Sequence, residues 1–159
     1  MKPARYLMPQ AVFVVTGAAG EKTAGMTACW VNRVSHRPPL FAVAIHHGSH
    51  TRDVVAEGGC FCIHILRHSQ VDLARRFGSV SGREVDKLAG VPWRRGESGA
   101  PVLEDVLAYL DCRVVHRFEV GDHTLFVGEL VDEGVFRQTV PLLFRPEDYA
   151  DIGQAGDEG

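Results

Sequence analysis

Four short stretches of the chain carry residues whose types and spacing could do chemistry. The first is His46-His47-Gly48-Ser49-His50-Thr51-Arg52, which lies between an apolar run at residues 40–45 and a helical stretch at residues 51–57. A strand end that feeds a helix start leaves backbone N–H groups without acceptors, and the helix dipole adds positive potential there. Ser49 and Thr51 bring hydroxyl donors, and Arg52 with His46, His47 and His50 can bring charge, so a phosphate would suit the place. A plain helix cap by Ser49 or Thr51 explains the same residues. The second stretch is the loop from Gly78 to Lys87, in which Ser81, Gly82, Arg83 and Lys87 could wrap an anion with backbone donors and a guanidinium fork. A solvated surface loop is the competing reading. The third is Gly25-Met26-Thr27-Ala28-Cys29-Trp30, where small side chains would let a flat ligand lie against the strand backbone, which could offer N–H groups to its edge. Core packing accounts for it equally well. The fourth is His123, expected at the tip of a Gly121-Asp122-His123 turn, exposed or facing a cleft, where an imidazole can hydrogen-bond an anion or carry a proton.

Other chemistries find less footing. The eight histidines invite a metal, but His46 and His47 are adjacent and would point to opposite faces of a strand. Cys60, Cys62 and His64 alternate on one strand face within an apolar run, which burial in a core explains, and no metal site is expected. No nucleophile elbow, dinucleotide fingerprint or P-loop pattern occurs. A net charge of −3 with scattered basic residues argues against nucleic acid. No apolar run reaches the roughly 18 residues that a membrane helix needs. The four cysteines form no C-x-x-C pair and read as buried free thiols of a cytoplasmic protein.

Strand signals dominate the elements that must hold these stretches. Residues 11–15 form a short β-branched run that ends in a turn, and residues 40–45 read as a strand buried on both faces. Residues 60–66 form another apolar run. From Leu110 to Phe118 the period of two puts Leu110, Cys112, Val114, His116 and Phe118 on one face and Asp111, Arg113 and Arg117 on the other. A hairpin returns through residues 124–131, and residues 135–136 and 141–144 offer short final strands. Two short helices are expected. One covers residues 51–57 and stops at Gly58-Gly59, and the other covers residues 69–77 with Ser69 as cap and Asp72 completing an approximate capping box. The pattern is mainly β: an antiparallel barrel with a few short helices, one domain over residues 1–153 and a polar tail at 154–159.

Taken in order, several stretches resemble the flavin reductase-like family of FMN-binding split barrels. They are Gly25-Met26-Thr27-Ala28-Cys29-Trp30 with Val34 to Leu40, Ser49-His50-Thr51 before a helix, Phe61 to Leu66, Phe77-Gly78 with Ser81 to Lys87, Gly121-Asp122-His123 with Val127-Gly128-Glu129, and Pro141 to Phe144 with Tyr149. The resemblance runs from about Tyr6 to Ile152. It implies a Greek-key split barrel, a homodimer, and FMN (or FAD) with its ring edge along residues 27–30. It places the flavin phosphate near Ser49 and Thr51, with Ser81 to Arg83 and Lys87 nearby, and His123 beside the nicotinamide of NADH or NADPH. The implied activity is hydride transfer from nicotinamide to flavin, with a partner monooxygenase or another electron acceptor downstream. A flavoredoxin-like carrier or ferric reductase, a pyridoxamine-phosphate-oxidase-like barrel and a non-enzymatic FMN-binding protein are the alternatives. Trp30 departs from the family pattern in its bulk, and His64 stands where Asn is usual.

Overall fold

The strand built from residues 13–19 pairs on both sides, because its side chains are apolar or small on both faces. In the computed structural model, which describes residues 1–151, this strand is β1 (Phe13–Ala19), antiparallel to β2 (Lys22–Ala28) on one side and to β5 (Cys60–Ile65) on the other. The remaining strands are β3 (Val31–Ser35), β4 (Leu40–His46), β6 (Trp93–Arg95), β7 (Pro101–Leu103), β8 (Ala108–Val120) and β9 (His123–Val135). Seven of them form one antiparallel sheet in the order β2-β1-β5-β8-β9-β4-β3, and β6 and β7 form a separate ribbon. The expected tail at 154–159 lies outside the described residues. No described helix is long and apolar enough to cross a membrane.

Two residues curl this sheet into a barrel. β2 and β3 are its opposite edges, yet only Cys29 and Trp30 separate them in the chain. A fully extended chain gains about 3.5 Å per residue, so the edges must stand within roughly 11 Å of each other. The Trp30 carbonyl then accepts from the Ala44 N–H at 3.0 Å, which fixes the link to β4. β2 and β3 form no ladder with each other, so the barrel is split along this seam. Its interior holds Val15, Val43, Ile45, Phe61, Ile63 and Phe126. A second apolar layer, including Val14, Leu66, Phe77, Leu88 and Leu103, fills the space outside β1 and β5.

Two short helices pack against the sheet, one on the barrel interior through Val55 and the other in the outer apolar layer through Ala74 and Phe77. α1 (His50–Gly58) is capped by Ser49, whose Oγ accepts the Arg52 N–H at 3.4 Å, and Gly59 closes it in the left-handed conformation at φ 71°. Gly58 is required by close approach, since a Cβ there would stand 1.7 Å from the Ala18 carbonyl oxygen. α2 (Val71–Gly78) departs from expectation. Gln70, not Ser69, occupies its cap position, with no side-chain capping bond. The Gln70 amide accepts the Arg67 N–H and donates to the Asp105 carbonyl, so tertiary contacts rather than a local cap set the entry to α2.

Other expectations also needed correction. β8 does not keep a simple alternation: bulges between Asp111 and Cys112 and between Val114 and His116 shift its register against β9. Asp111 and Cys112 are consequently both buried, where strict alternation would expose one. The Asp111 carboxylate accepts from the Ser98 hydroxyl and the Ser98 N–H, and burial raises its pKa. Residues 141–144 form isolated bridges, Arg67 with Pro141 and Ala11 with Leu143, rather than a strand. Residue 135 belongs to β9 itself.

All four cysteines are free; three are buried and Cys29 is half-buried. His64 is fully buried, and both ring nitrogens are used. Nδ1 stands 3.0 Å from the Val14 carbonyl and Nε2 accepts the Leu103 N–H at 2.9 Å. The accepting Nε2 fixes the neutral tautomer with the proton on Nδ1. Burial pushes the His64 pKa down to about 4 from an ordinary 6.5. Below pH 6.5 the unfolded chain therefore takes up a proton that the folded chain refuses. The contribution is complete above pH 6.5 and is lost as pH falls toward 4, at up to about 1.4 kcal/mol per pH unit. Urea denaturation of wild type and His64→Phe from pH 8 to pH 4.5 checks this. The variant should be less stable at pH 8, by about 1–3 kcal/mol for each orphaned backbone group, and the gap between the two should narrow below pH 6.5. A constant gap would refute the assignment.

Candidate functional site

A cleft of about 330 Å³ opens where β2, the end of β4, the start of α1 and the loop after α2 meet. Its β2 wall is Met26 and Thr27, and its helix wall is Ser49, His50 and Thr51. Phe77, Gly78, Val80, Ser81, Gly82 and Lys87 close the third side, and His46 and Gly48 lie at the turn between β4 and α1. The two anion-suited stretches of the sequence therefore face the same space, together with the middle of β2.

Local bonds explain why the walls hold their places. The Gly48 N–H donates to His46 Nδ1 at 3.0 Å, and the Ser49 hydroxyl lies 3.6 Å from Met26 Sδ, joining helix to strand. Thr27 Oγ1 donates to the Ala74 carbonyl at 2.6 Å, which holds α2 against β2. The loop is pinned at both ends. Lys87 Nζ donates to the Phe77 carbonyl at 2.7 Å at the end of α2, and Arg76 Nε returns a bond to the Lys87 carbonyl at 2.9 Å. Arg83 reaches across to α1, donating to the Gly48 carbonyl at 3.1 Å and pairing with Asp53. Gly82 packs on His50, where a Cβ would stand 3.0 Å from Cδ2.

The electrostatics favour an anion. The first N–H groups of α1 have no intrahelical acceptor, and the dipole of α1 points its positive end into the cleft. Burial pushes the Lys87 pKa down to about 8, and it holds the His50 pKa below its ordinary value, with Arg83 adding to the effect. Arg83 and Arg52 are partly neutralised by Asp53.

The expected site residues divide between this cleft and other places. Thr27, Ser49, Thr51, Ser81, Gly82 and Lys87 line it. Arg83 lines an adjoining cleft of about 200 Å³ that shares Gly82 and Lys87. Ala28 is buried in the barrel interior. Cys29 is half-buried against the outer apolar layer, where burial pushes its thiol up to about 11. His47 does not line the cleft: its Nε2 lies 2.7 Å from Glu119 on the exposed side of the hairpin. His46, its neighbour of opposite strand parity, does line it. His46 and His50 were expected only to add charge, together with His47, and Met26 and Val80 offered no polar signal.

His123 is not exposed at a turn tip. The turn proper is Gly121-Asp122, with Gly121 at φ 58°, and His123 is the first residue of β9 and only 5% exposed. Trp30 lies over its ring at a centroid distance of 4.6 Å, and His46 meets it edge-on at 5.4 Å. Nδ1 is 2.7 Å from the Asp122 carboxylate, whose pKa that bond lowers. Nε2 is buried without a partner among the described residues. The cleft thus leads through His46 to an imidazole held by a carboxylate on one nitrogen and unsatisfied on the other.

Comparison with known proteins agrees with this geometry. The family model described as a flavin reductase like domain matches residues 5–153. The chain is 34% identical over 143 residues to the reductase subunit HsaB of a flavin-dependent monooxygenase from Mycobacterium tuberculosis, covering 89% of this chain and 75% of that one. It is 32% identical over 143 residues to a high molecular weight rubredoxin from Moorella thermoacetica, covering 89% of this chain and 62% of the longer relative. Among solved structures, the NADH:FAD oxidoreductase SgcE6 of Streptomyces globisporus C-1027 superposes with a TM-score of 0.80 at 32% identity, covering 86% of this chain and 82% of that one. The chain belongs to the flavin reductase-like family.

Proposed function

We propose that this flavoprotein oxidoreductase is an NAD(P)H-dependent flavin reductase that holds FMN in the cleft, with the flavin phosphate at the start of α1. The observation that carries the reading is the convergence of Ser49, Thr51, Ser81 and Lys87 opposite the backbone of β2. β2 is a sheet edge, so its outward N–H and C=O groups have no strand partner and are free for the rim of a flat ring. Ser49, Thr51 and Ser81 hydroxyls, the first N–H groups of α1 and the Lys87 ammonium supply donors for a phosphate. Arg83, tied to Asp53 and the Gly48 carbonyl, bounds that end and supports a monophosphate.

Bound FMN would supply the hydride acceptor and carry the electrons onward. His123 positions the incoming nicotinamide. With the Nδ1 proton directed at Asp122, the Nε2 lone pair can accept an N–H of the carboxamide. No proton transfer is required of it. The cover of Trp30 on His123 also favours a second reading, an electron carrier that takes its electrons from a protein rather than from nicotinamide.

The partner reading is a two-component monooxygenase, supported by the name of the HsaB relative. A homodimer is supported by Phe118 and Val120, exposed two residues apart on the outer arm of β8. Four free cysteines support a reducing, cytoplasmic setting.

The purified protein should be yellow, or should quench FMN fluorescence with a micromolar Kd. Ser49→Ala and Ser81→Ala should each weaken FMN about tenfold, the equivalent of roughly 1.5 kcal/mol for a hydrogen bond to a charged group. A colourless protein that leaves micromolar FMN unquenched would sink the proposal. Under nitrogen, NADH or NADPH should bleach the bound flavin within seconds, and failure to bleach would favour the carrier.

FMN affinity should also depend on pH through Lys87. The ammonium is present below about pH 8 and lost above it, and only the ammonium attracts phosphate. Affinity should therefore fall once pH passes about 8, and Lys87→Met should bind more weakly with a flat profile. An equally steep fall in that variant would remove Lys87 from the site.

A further inference from the structure

Trp30 stands on the two-residue link between β2 and β3 and is 42% exposed. Its carbonyl is fixed to the Ala44 N–H, so the indole can turn about its own side-chain bonds while the backbone stays. Exposed side chains change rotamer within picoseconds to nanoseconds. Beneath the indole lies His123, with a ring nitrogen that is buried and unpartnered. A desolvated acceptor without a donor is costly to maintain. It is relieved by a ligand that brings an N–H to the same place.

We infer that Trp30 is a movable cover over His123 that controls nicotinamide access to the reactive end of the cleft. Closed, the indole lies tilted over the imidazole, whose Nε2 is buried. Open, it clears the approach to Nε2, and the carboxamide N–H of a nicotinamide can meet the lone pair in the plane of the imidazole. Trp30 is thus a specificity-determining residue and His123 the group it guards. The identity of the incoming ring rests on the flavin reductase reading; the cover itself does not.

Carbethoxylation of each histidine by diethylpyrocarbonate, followed by mass spectrometry, tests the cover on the protein as purified. In wild type, His123 should label at least tenfold more slowly than the exposed His68 and His116. Trp30→Phe, which keeps an aromatic cover, should stay slow. Trp30→Ala should raise His123 labelling at least tenfold and lower the KM for NAD(P)H severalfold. His64 is the internal control, buried whether the cover is open or closed. If His64 labels in Trp30→Ala, the chain has loosened. Trp30→Leu, which retains apolar bulk at the link, then replaces it, with His123 labelling expected between wild type and full exposure. Rapid labelling of His123 in wild type, or the same slow labelling in every variant, would overturn the cover. A protein that neither binds flavin nor oxidises NAD(P)H would overturn the reductase reading instead, and the labelling would still decide the cover.

Discussion

The rest of the molecule depends on one covalent constraint: the opposite edges of a seven-stranded sheet are joined by Cys29 and Trp30 alone. A link this short cannot wander, so the sheet must curl until its edges meet. The seam it leaves is where function collects. β2 arrives with its outer backbone groups unpaired and Thr27 turned toward α2, and Trp30 is delivered onto the start of β9. A longer loop would have let the sheet stay open, and β2, α1 and the β8–β9 hairpin would not have been brought around one cleft.

Closing the sheet this way leaves β1 and β5 as interior strands paired on both sides, with apolar matter on both faces, and such a strand has nowhere to send a polar side chain without cost. His64 resolves that conflict by bonding backbone groups with both nitrogens, so a buried imidazole ties β5 to β1 and to β7. The same economy appears at the loop after α2. Lys87 and Arg76 exchange bonds with backbone carbonyls, and Arg83 anchors the middle of the loop to the turn before α1. Side chains that bond backbone hold a Gly/Ser-rich segment in place without the help of a regular ladder. That gives a phosphate-sized ligand a preformed wall rather than one it must order for itself.

What could be read from the sequence was local. Ser49 and Gly59 mark the ends of α1 because a cap and a left-handed stop are properties of a few adjacent residues. Ser49, Thr51, Ser81, Gly82 and Lys87, which line one cleft, each sit in a turn or helix start whose chemistry is short-range, so they could be picked out from neighbouring residues alone. What failed was set by distant partners. Ser69 had the right chemistry to cap α2, but Asp105 holds Gln70 and moves the start. The alternation of β8 was broken by bulges that no period of two reveals. His46 and His47 were seen to point apart, but only the pairing of β4 with β9 says which one faces the cleft. His123 was displaced from tip to core by a turn one residue shorter than expected, and its contact with Trp30 joins elements far apart in the chain.

These two kinds of information map onto the two ends of the site. On the proposed reading, the phosphate end is made by α1 and the pinned loop, from donors and positive potential that depend little on what happens across the barrel. The proposed reactive end is made by the seam link and the β8–β9 hairpin, from ring contact and burial that depend on long-range packing. The ends share the cleft but few residues. On the proposed reading, a change of bulk at position 30 would act on the approach to His123 while leaving intact the donors that would hold the flavin phosphate. A fold divided in this way can keep its cofactor and vary its electron donor, because the two are recognised by different physics in different elements.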